Sequence, residues 1–399
     1  MRIVLISDWF AEKMGYAENC LPKAMAALGH DVHLITSDVQ PYFHLPLYKE
    51  TYEPFLGKGI VPCGTKPFEG YTLHRLPHGK TSKFFWIKGL TKQLRTLRPD
   101  VVQTFDAFVP STLACVRASR RVGFRLFLET HLHASVLPPR IANRRLAWWF
   151  YRRTVGRWIN QRTELCYPIS EDTADIVIRL IGLDPQKMRV CSLGVDTALF
   201  HPPTDPVVRD ERRRKLGFAA SDVVCVYTGR FAEDKGPLVL AQAIDRLTAA
   251  GEPYRGLFVG SGTQSQVAAI QECRGCVIQP FVLPGELPPF YWAADIGVWP
   301  RQESTSQLDA AACGLPLILS DRVHVRERAE GNGVFYNENS VSSLCDAIRS
   351  LASPDLRRKL GECGAGKMEQ SFSWNRIARE RIKDYESVLG GANHALDNS

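Results

Sequence analysis

The segment from Thr228 to Gly236 carries two cations at a spacing suited to binding a diphosphate. It is TGRFAEDKG, with Arg230 directly after Gly229 and Lys235 five residues further on. An apolar run precedes it and a helical pattern follows, which predicts a strand-to-helix turn. Arginine can bind a diphosphate through two parallel hydrogen bonds, and lysine adds a point charge. Both would stabilise negative charge on a departing diphosphate; the alternative is a surface loop with two solvated cations.

A second polar segment, PRQESTSQLDAAACGLPLILSD, spans residues 300–321. A strand is expected to end at Pro300, and a helix of small residues is expected to begin near Ser306. The first amides of such a helix form an anion site, and the carboxylates of Glu303 and Asp309 can accept hydrogen bonds from sugar or ribose hydroxyls. Ser306 and Asp309 also have the spacing of a capping box, a role compatible with ligand binding.

The first half of the chain offers two weaker signals. The loop DWFAEKMGYAENC follows the first predicted strand, and its Gly15 would allow close approach of the backbone to phosphate, with Glu18 near the start of the next helix. The segment ETHLH ends another strand and holds His131 and His133. The alternatives are that Gly15 only allows a turn and that the histidine has only a structural role.

Charge is divided unevenly between the two halves. Residues 1–200 hold 27 Lys/Arg and 17 Asp/Glu, whereas residues 201–399 hold 23 and 25. All of the excess positive charge, which gives the chain a net charge of +8, therefore lies in the first half. The segment 140–162 adds seven arginines and three tryptophans with no acid. This pattern predicts either an anionic partner, such as a membrane surface or a phosphate-bearing acceptor, or a solvated basic face. No nucleic-acid-binding module accompanies the charge, so nucleic acid is not expected.

Strand and helix patterns alternate along both halves, which predicts two α/β domains with parallel, doubly wound sheets. A length of 399 residues is also typical of two domains. Residues 39–70, rich in proline, glycine and aromatics, are interpreted as a long loop, residues 141–161 as a helix, and the prolines at 202, 203 and 206 as a linker. The N-terminus is interpreted as a strand rather than a signal peptide. With no long apolar run and scattered cysteines, we expect a cytoplasmic protein, soluble or peripheral on the inner face of the membrane.

No metal or cofactor is expected. Cys273 and Cys276 form a lone CxxC pair, whereas a structural zinc needs four ligands. No Asp-x-Asp triplet is present to hold a metal-bound diphosphate.

The order of these segments resembles the retaining family-four glycosyltransferases (glycosyl transferases group 1). The resemblance is carried by GRFAEDKG, VGSG at Val259–Gly262, ELPPFYWAADIGVWPR and AAACGLPLILSD, and extends to SLGVDTALFHP, PISED and FSW. It implies the GT-B fold, in which two Rossmann-like domains face a cleft and a C-terminal helix crosses back to the N-terminal domain. The expected boundaries are residues 1–197 plus 374–399 for the acceptor domain and 198–373 for the nucleotide-sugar donor domain.

One position departs from the family pattern. The family pairs two glutamates separated by seven residues; counting back from ACG, the second is Asp309 and the first falls on Arg301. We infer a loop two residues shorter, with Glu303 contacting the sugar and Asp309 the ribose. The resemblance then assigns catalytic roles to Arg230, Lys235, Glu303 and His131, acceptor binding to Glu18 and His133, and donor binding to Gly15, Gly229, Val282, Ser304, Thr305, Ser306 and Asp309.

The predicted function is transfer of a sugar from a nucleoside-diphosphate sugar to a hydroxyl of a glycan, lipid-linked or phosphate-bearing acceptor, with retention of configuration. Two alternatives remain open. One is another GT-B enzyme, such as a nucleotide-sugar epimerase or a phosphorylase. The other is a non-catalytic nucleotide-sugar-binding protein, which the altered acidic pair makes plausible.

Overall fold

The computed structural model describes residues 1–45, 48–80, 85–132, 145–301 and 303–396. Its chain divides into two units, Met1–Leu193 with Asn375–Ser399, and Gly194–Trp374. The boundaries expected from the sequence lie within a few residues of these. The strands are β1 Arg2–Ser7, β2 Asp31–Ser37, β3 Gly64–Phe68, β4 Tyr71–Leu76, β5 His78–Lys80, β6 Phe85–Ile87, β7 Val101–Thr104, β8 Arg125–Thr130, β9 Thr163–Pro168, β10 Val223–Phe231, β11 Tyr254–Gly262, β12 Cys276–Gln279, β13 Ile296–Trp299, β14 Leu317–Ser320 and β15 Gly333–Tyr336.

Helices separate most of these strands. In the part of the chain that the structure describes they are α1 Ala17–Ala27, α2 Tyr48–Thr51, α3 Glu53–Leu56, α4 Leu90–Leu97, α5 Pro110–Val122, α6 Arg145–Tyr151, α7 Arg157–Arg162, α8 Glu171–Leu180, α9 Pro206–Lys215, α10 Pro237–Ala249, α11 Gln264–Gln271, α12 Pro288–Trp292, α13 Ser306–Ala312, α14 Val341–Ser350, α15 Pro354–Lys367 and α16 Trp374–Leu396. A π-helical turn, Arg152–Gly156, joins α6 to α7.

Both sheets have the strand order of a Rossmann domain. The second unit has the order β12-β11-β10-β13-β14-β15, all parallel. The first unit has β4-β2-β1-β7-β8-β9 in the same relative order, with β3 added antiparallel at the edge. In such sheets ligands bind outside the carboxyl ends of the strands, where the strand order reverses. That switch point lies between β10 and β13 in the second unit and between β1 and β7 in the first.

The apolar patterns of the sequence account for the buried layers. Strand β10 is buried on both faces, as parallel strands are, and its residues Val224–Tyr227 are at most 1% exposed. Helix α10 buries Leu240, Ile244 and Leu247, spaced four and three residues apart, so that one stripe of the helix faces the sheet.

The C-terminal helix α16 belongs to the first unit beyond Trp374. The Tyr167 hydroxyl on β9 donates to Asp384 Oδ2 (3.0 Å), and Arg381 Nη1 donates to Gln103 Oε1 on β7 (3.0 Å). The GT-B architecture expected from the sequence, including a final helix that returns to the first domain, is confirmed.

Three local expectations were wrong or incomplete. Residues 39–70 are not a continuous loop, because they contain α2, α3 and β3. Pro206 does not extend a linker but begins helix α9, where the Asp205 side chain accepts from the amide of Val207 (2.9 Å) and caps the helix. The helix expected over 141–161 is present from Arg145 but interrupted by the π turn, and residues 141–144 lie outside the described chain.

Candidate active site

A pair of glycines shapes the carboxyl end of strand β10. Gly229 on β10 is in register with Gly260 on β11, with φ of 142° and 154°. A Cβ on Gly260 would lie 1.9 Å from the Gly229 carbonyl oxygen, so no other residue fits there without moving the backbone. The Tyr227 hydroxyl donates to the Arg230 carbonyl (2.8 Å), which fixes the backbone from which the arginine side chain extends.

Arg230 and Lys235 lie close together at this end of the sheet. The Arg230 side chain is 54% exposed, and its nearest carboxylate, Asp234, is 3.9 Å away. Lys235 Nζ donates to the Glu303 carbonyl oxygen (3.3 Å). Burial lowers the pKa of Lys235, and the charge of Arg230 lowers it further against the opposing effects of Asp234 and Glu303. Two cations that repel each other across a turn are an arrangement that a bound diphosphate would neutralise.

The loop that contains Glu303 and Ser304 is held by hydrogen bonds between side chains and backbone groups. Glu303 Oε1 accepts from the amide of His324 (2.7 Å). Arg328, 4% exposed, donates from Nη1 to the Ser304 carbonyl (3.1 Å). The structure therefore brings Glu303 next to Lys235, but one oxygen of its carboxylate is already engaged.

The helix that follows this loop starts without the expected capping box. Helix α13 begins at Ser306 itself, with Thr305 preceding it, and Ser304 Oγ accepts from the Ser306 amide (3.3 Å). The amide of Asp309 bonds to the Thr305 carbonyl (3.3 Å). The prediction that Ser306 and Asp309 cap each other was wrong, because Ser306 is the first helical residue rather than the residue before the helix.

The carboxylate of Asp309 consequently has no helix-capping role. It is partly exposed. Loss of hydration raises the pKa of Asp309 to about 8, and the charge of Asp196 contributes in the same direction. Asp309 lies near enough to Tyr291 to raise the pKa of that phenol in turn. The Tyr291 hydroxyl is itself bonded to Thr228 Oγ1 on β10 (2.7 Å), so Asp309 lies close to the β10–β13 switch point.

Arg301, which occupies the place of the family's first glutamate, braces the cationic turn. Its Nη1 donates to the Glu233 carbonyl (2.6 Å), and its Nε donates to Asn339 Oδ1 (2.9 Å). Its side chain packs against Gly236, where an added Cβ would lie 3.0 Å from Arg301 Cγ. Arg301 therefore positions the Arg230–Lys235 turn. The sequence analysis identified Arg301 only as a departure from the family pattern of two glutamates. Nothing in the sequence indicated a role for Arg328.

In the first unit, His131 is held by a buried chain of polar groups. His131 Nε2 lies 2.7 Å from Glu129 Oε1, and Glu129 Oε2 accepts from Gln103 Nε2 (3.0 Å) and faces Arg381 Nη2 (3.2 Å). Burial alone would raise the pKa of Glu129, but Arg381 and His131 outweigh it and keep the carboxyl ionised. Burial alone would lower the pKa of His131, but the hydrogen bond and charge of Glu129, with smaller contributions from other carboxylates, raise it. Nε2 therefore carries a proton toward Glu129.

Glu18 lies close enough to His131 for their charges to interact. Glu18 is in the first turn of α1, and burial raises its pKa to about 7, offset in part by the charge of His131. Gly15 is exposed in the preceding loop, and Tyr16, not Gly15, is the residue before the helix. His133 lies outside the described residues. In the second unit, Val282 is a partly buried loop residue beyond β12.

Within the described ranges, no group of three or more His, Cys, Asp or Glu side chains is arranged to hold a metal ion. The helices described there include none with the length and apolar character needed to cross a bilayer. Two Rossmann-like units, one with a cationic turn and a carboxyl at its switch point, define the class of protein as GT-B.

Comparison with known proteins identifies the family within that class. Residues 21–199 match the family model described as Glycosyltransferase Family 4, and residues 222–353 match that of Glycosyl transferases group 1. A D-inositol 3-phosphate glycosyltransferase of Jonesia denitrificans is 31% identical over 225 residues, which cover 52% of this chain and 53% of that protein. Spore coat protein SA of Bacillus subtilis is 26% identical over 223 residues, 50% of this chain and 59% of that protein. The chain thus spans about half the length of the curated relatives it matches.

Solved structures agree in fold. Sucrose-phosphate synthase from Thermosynechococcus elongatus superposes with a TM-score of 0.71 at 20% identity, covering 98% of this chain and 99% of that one. Anabaena HepE in complex with UDP-glucose gives 0.66 at 17% identity, covering 96% and 99%. The chain belongs to the family-four glycosyltransferases.

Proposed function

We propose that this chain transfers a sugar from a nucleoside-diphosphate sugar to a hydroxyl acceptor with retention of configuration. The observation that carries the proposal is the cationic turn of Arg230 and Lys235, which lies beside Glu303 at the end of β10. UDP-glucose is the first donor to test, because HepE, which shares the fold, was solved with UDP and UDP-glucose. The acceptor classes in view are the glycan, lipid-linked and phosphate-bearing acceptors expected from the sequence.

The chemistry requires little of the protein beyond orientation and charge stabilisation. The bond from the anomeric carbon to the diphosphate oxygen breaks with its electron pair on that oxygen. The acceptor oxygen forms the new bond on the same face of the sugar, and its proton passes to the departing phosphate oxygen. Arg230 and Lys235 would stabilise the diphosphate, Glu303 would orient the sugar and Asp309 would bind the ribose. The family resemblance also assigns a catalytic role to His131, in the first unit.

No metal is required in this proposal, because the two side-chain cations supply the positive charge that a metal would otherwise bring to the diphosphate. Arg301 and Arg328 support the same turn and loop from behind through backbone carbonyls. They are positioning residues rather than catalytic ones.

The test begins with donor binding by the full chain. Thermal shift with UDP-, GDP-, ADP- and dTDP-sugars should single out one nucleotide, since a ligand at 100 times its Kd adds about 2.7 kcal/mol. With that donor, Arg230→Ala and Lys235→Ala should each reduce turnover by about 100-fold. Lys359→Ala, an exposed lysine on α15, is the control and should retain normal turnover. Near-normal turnover in both site variants would remove the diphosphate assignment.

A second observation concerns the surface of the first unit. On α6, Leu146, Trp149 and Phe150 are 79%, 52% and 63% exposed, and Arg153 stacks on Trp149 with its guanidinium 4.5 Å from the ring centre. Large apolar side chains beside arginines are typical of helices that bind an anionic membrane surface. We propose that this surface contacts anionic lipid, which would place a lipid-linked acceptor within reach of the first unit.

Product analysis separates the proposal from its alternatives. An epimerase would return an isomer of the nucleotide sugar without an acceptor product. A non-catalytic binder would take up the donor without releasing nucleoside diphosphate. NMR of the anomeric proton in the product would establish retention or inversion.

A further inference from the structure

The C-terminal helix places an arginine against the carboxylate that bonds to His131. The side chains of Arg381, on α16, and Glu129, on β8, are 3% and 1% exposed, and Arg381 Nη2 lies 3.2 Å from Glu129 Oε2. The Arg381 guanidinium also lies over the Tyr167 ring, 3.4 Å from the ring centre. A buried ion pair adds little net stability by itself, because both charges lose their hydration. Stability alone is therefore a weak reason for placing this pair next to His131.

Gln103, on β7, determines which atoms donate in this group. Arginine can only donate hydrogen bonds, so the Gln103 atom that lies 3.0 Å from Arg381 Nη1 is the carbonyl oxygen Oε1. The Tyr385 hydroxyl donates to the same oxygen. The other end of the Gln103 side chain is then the NH₂ group, which donates to Glu129 Oε2 (3.0 Å). Glu129 Oε2 thus faces two N–H groups, which makes it unsuited to carry a proton.

A proton between Glu129 and His131 therefore lies on the bond from Glu129 Oε1 to His131 Nε2 (2.7 Å). With the proton on Nε2, Glu129 is a carboxylate whose charge Arg381 balances. With the proton on Oε1, buried Arg381 would lose the counter-charge that Glu129 provides. Because a guanidinium is not deprotonated in proteins, Arg381 favours the first arrangement. Nε2 then keeps its hydrogen, and Nδ1 is the ring nitrogen that gains and loses a proton.

We infer that Arg381 is a positioning residue for the transfer reaction: by holding Glu129 as a carboxylate it keeps a hydrogen on His131 Nε2, so that Nδ1 of the neutral ring accepts a hydrogen bond from a substrate hydroxyl. The inference rests on the proposed function, because it needs His131 to contact a substrate. Arg381 is buried and acts through Glu129. The returning C-terminal helix would then take part in the chemistry in addition to packing on the first sheet.

Nitrogen-15 NMR of the His131 ring in the full chain tests the inference, since the chemical shift of a ring nitrogen changes strongly when it gains or loses its hydrogen. The His131 signals are identified by their loss in His131→Gln. As pH is varied across the range in which imidazole titrates, the wild type should show the change at Nδ1, with Nε2 keeping the shift of a protonated nitrogen. In Arg381→Met the Nε2 shift should move toward that of an unprotonated nitrogen, because Glu129 without its cation takes the proton. Arg381→Lys, which keeps the charge, should restore the wild-type shifts.

Turnover is measured as release of nucleoside diphosphate from the nucleotide sugar that the thermal-shift screen selects. Arg381→Met should lower kcat by about tenfold or more, because a wrong imidazole tautomer impairs the chemical step, and should leave KM for the donor little changed. Arg381→Lys should recover most of the loss. Tyr167→Phe is the matched control, because it removes the hydrogen bond from Tyr167 to Asp384 (3.0 Å) on α16 and keeps the ring that lies against Arg381. It should leave the His131 shifts and kcat unchanged.

A wild-type ring that titrates at Nε2 would overturn the inference, whether or not any variant folds. Unchanged shifts in Arg381→Met would do the same, as would equal losses of kcat in Arg381→Met and Tyr167→Phe, which would leave Arg381 only the role of docking the helix. The NMR measurement needs no substrate, so the two levels of proposal are separable. Sugar transfer by a chain whose Nε2 is unprotonated defeats the inference alone. A wild-type chain that binds no nucleoside-diphosphate sugar defeats the proposed function itself.

Discussion

Replacement of Asp309 by asparagine should increase the free energy of unfolding of the ligand-free protein relative to the wild type. This increase should be larger at pH 8 than at pH 5. The Asp309 carboxyl lies close enough to Tyr291 and Asp196 for their charges to interact. Its pKa rises from 3.8 to about 8 on folding, mainly because hydration is lost. We propose that this cost is retained because the carboxylate binds the ribose.

The direction and size of the effect follow from proton linkage. The folded state binds the Asp309 proton more tightly than the unfolded state, so between pH 3.8 and about 8 the wild type loses stability as pH rises. Each pH unit in this window contributes at most about 1.36 kcal/mol, which gives an upper bound of about 4 kcal/mol between pH 5 and pH 8. Because Asp309 is partly exposed, we expect about 1 to 2 kcal/mol after solvent screening. Asparagine does not titrate, so the variant lacks this loss.

Calorimetric melting of both proteins at pH 5 and pH 8, without nucleotide, measures the difference. The gap in Tm between Asp309→Asn and wild type should widen toward pH 8, whereas UDP affinity of the variant should fall because an amide offers one acceptor oxygen instead of two. Asp355→Asn, whose side chain is 89% exposed on α15, is the control and should show no pH-dependent gap. Equal gaps at pH 5 and pH 8 would refute the reasoning, because they would mean that Asp309 is ionised at both.

Three further predictions concern metal, the histidine and the membrane. Activity should survive excess EDTA; its loss, with rescue by Mg²⁺ or Mn²⁺, would contradict the assignment of the diphosphate to side-chain cations. Glu129→Gln should lower the pKa of His131, because burial then acts without the opposing charge of Glu129. NMR titration of the imidazole resonance measures this pKa, and an unchanged value would show that Glu129 is not what raises it. Binding to anionic vesicles should weaken as salt rises, since the Debye length falls from about 10 Å at 0.1 M to 3 Å at 1 M, and should weaken further in an Arg152→Gln, Arg153→Gln variant with donor affinity unchanged. Failure of the wild type to bind such vesicles at low salt would leave the helix a structural role.

Elements with a strong apolar period were predictable from the sequence. Helix Pro237–Ala249 and strands Ile296–Trp299 and Leu317–Ser320 belong to the alternation of helices and strands predicted for the second half, because each buries a run of apolar residues. Strand β3, Gly64–Phe68, was missed because it is an exposed edge strand, GTKPF, with no alternating pattern to read. The short strand β15, Gly333–Tyr336, has only four residues and therefore carries little periodic signal.

In the candidate site, too, local sequence patterns indicated some residues, whereas contacts between distant parts of the chain were not predictable. Arg230, Lys235 and Asp309 lie in segments whose own pattern predicts a turn or a helix start, so the sequence indicated them. The contacts that position them are distant in sequence: Arg301 reaches Glu233, 68 residues away. Arg381 meets Glu129 only because the last helix packs on the first sheet. The spacing of residues along the chain does not predict such distant pairs.

The net charge of the first half, +10, predicted either an anionic partner or a solvated basic face. Near the carboxyl ends of its strands, however, lie the carboxyls of Asp8 and Asp106, and Glu18 is in the first turn of α1. The two observations are compatible because net charge describes a whole surface, whereas a ligand responds to the few groups within a Debye length or less. The excess arginines include those of 145–162, on an exposed helical segment, and the carboxyls lie at the ends of buried strands. The basic surface and the carboxyls at the strand ends are therefore separate features of the first unit. We expect the basic surface to determine whether the protein binds anionic vesicles, so that raising the salt concentration should weaken this binding.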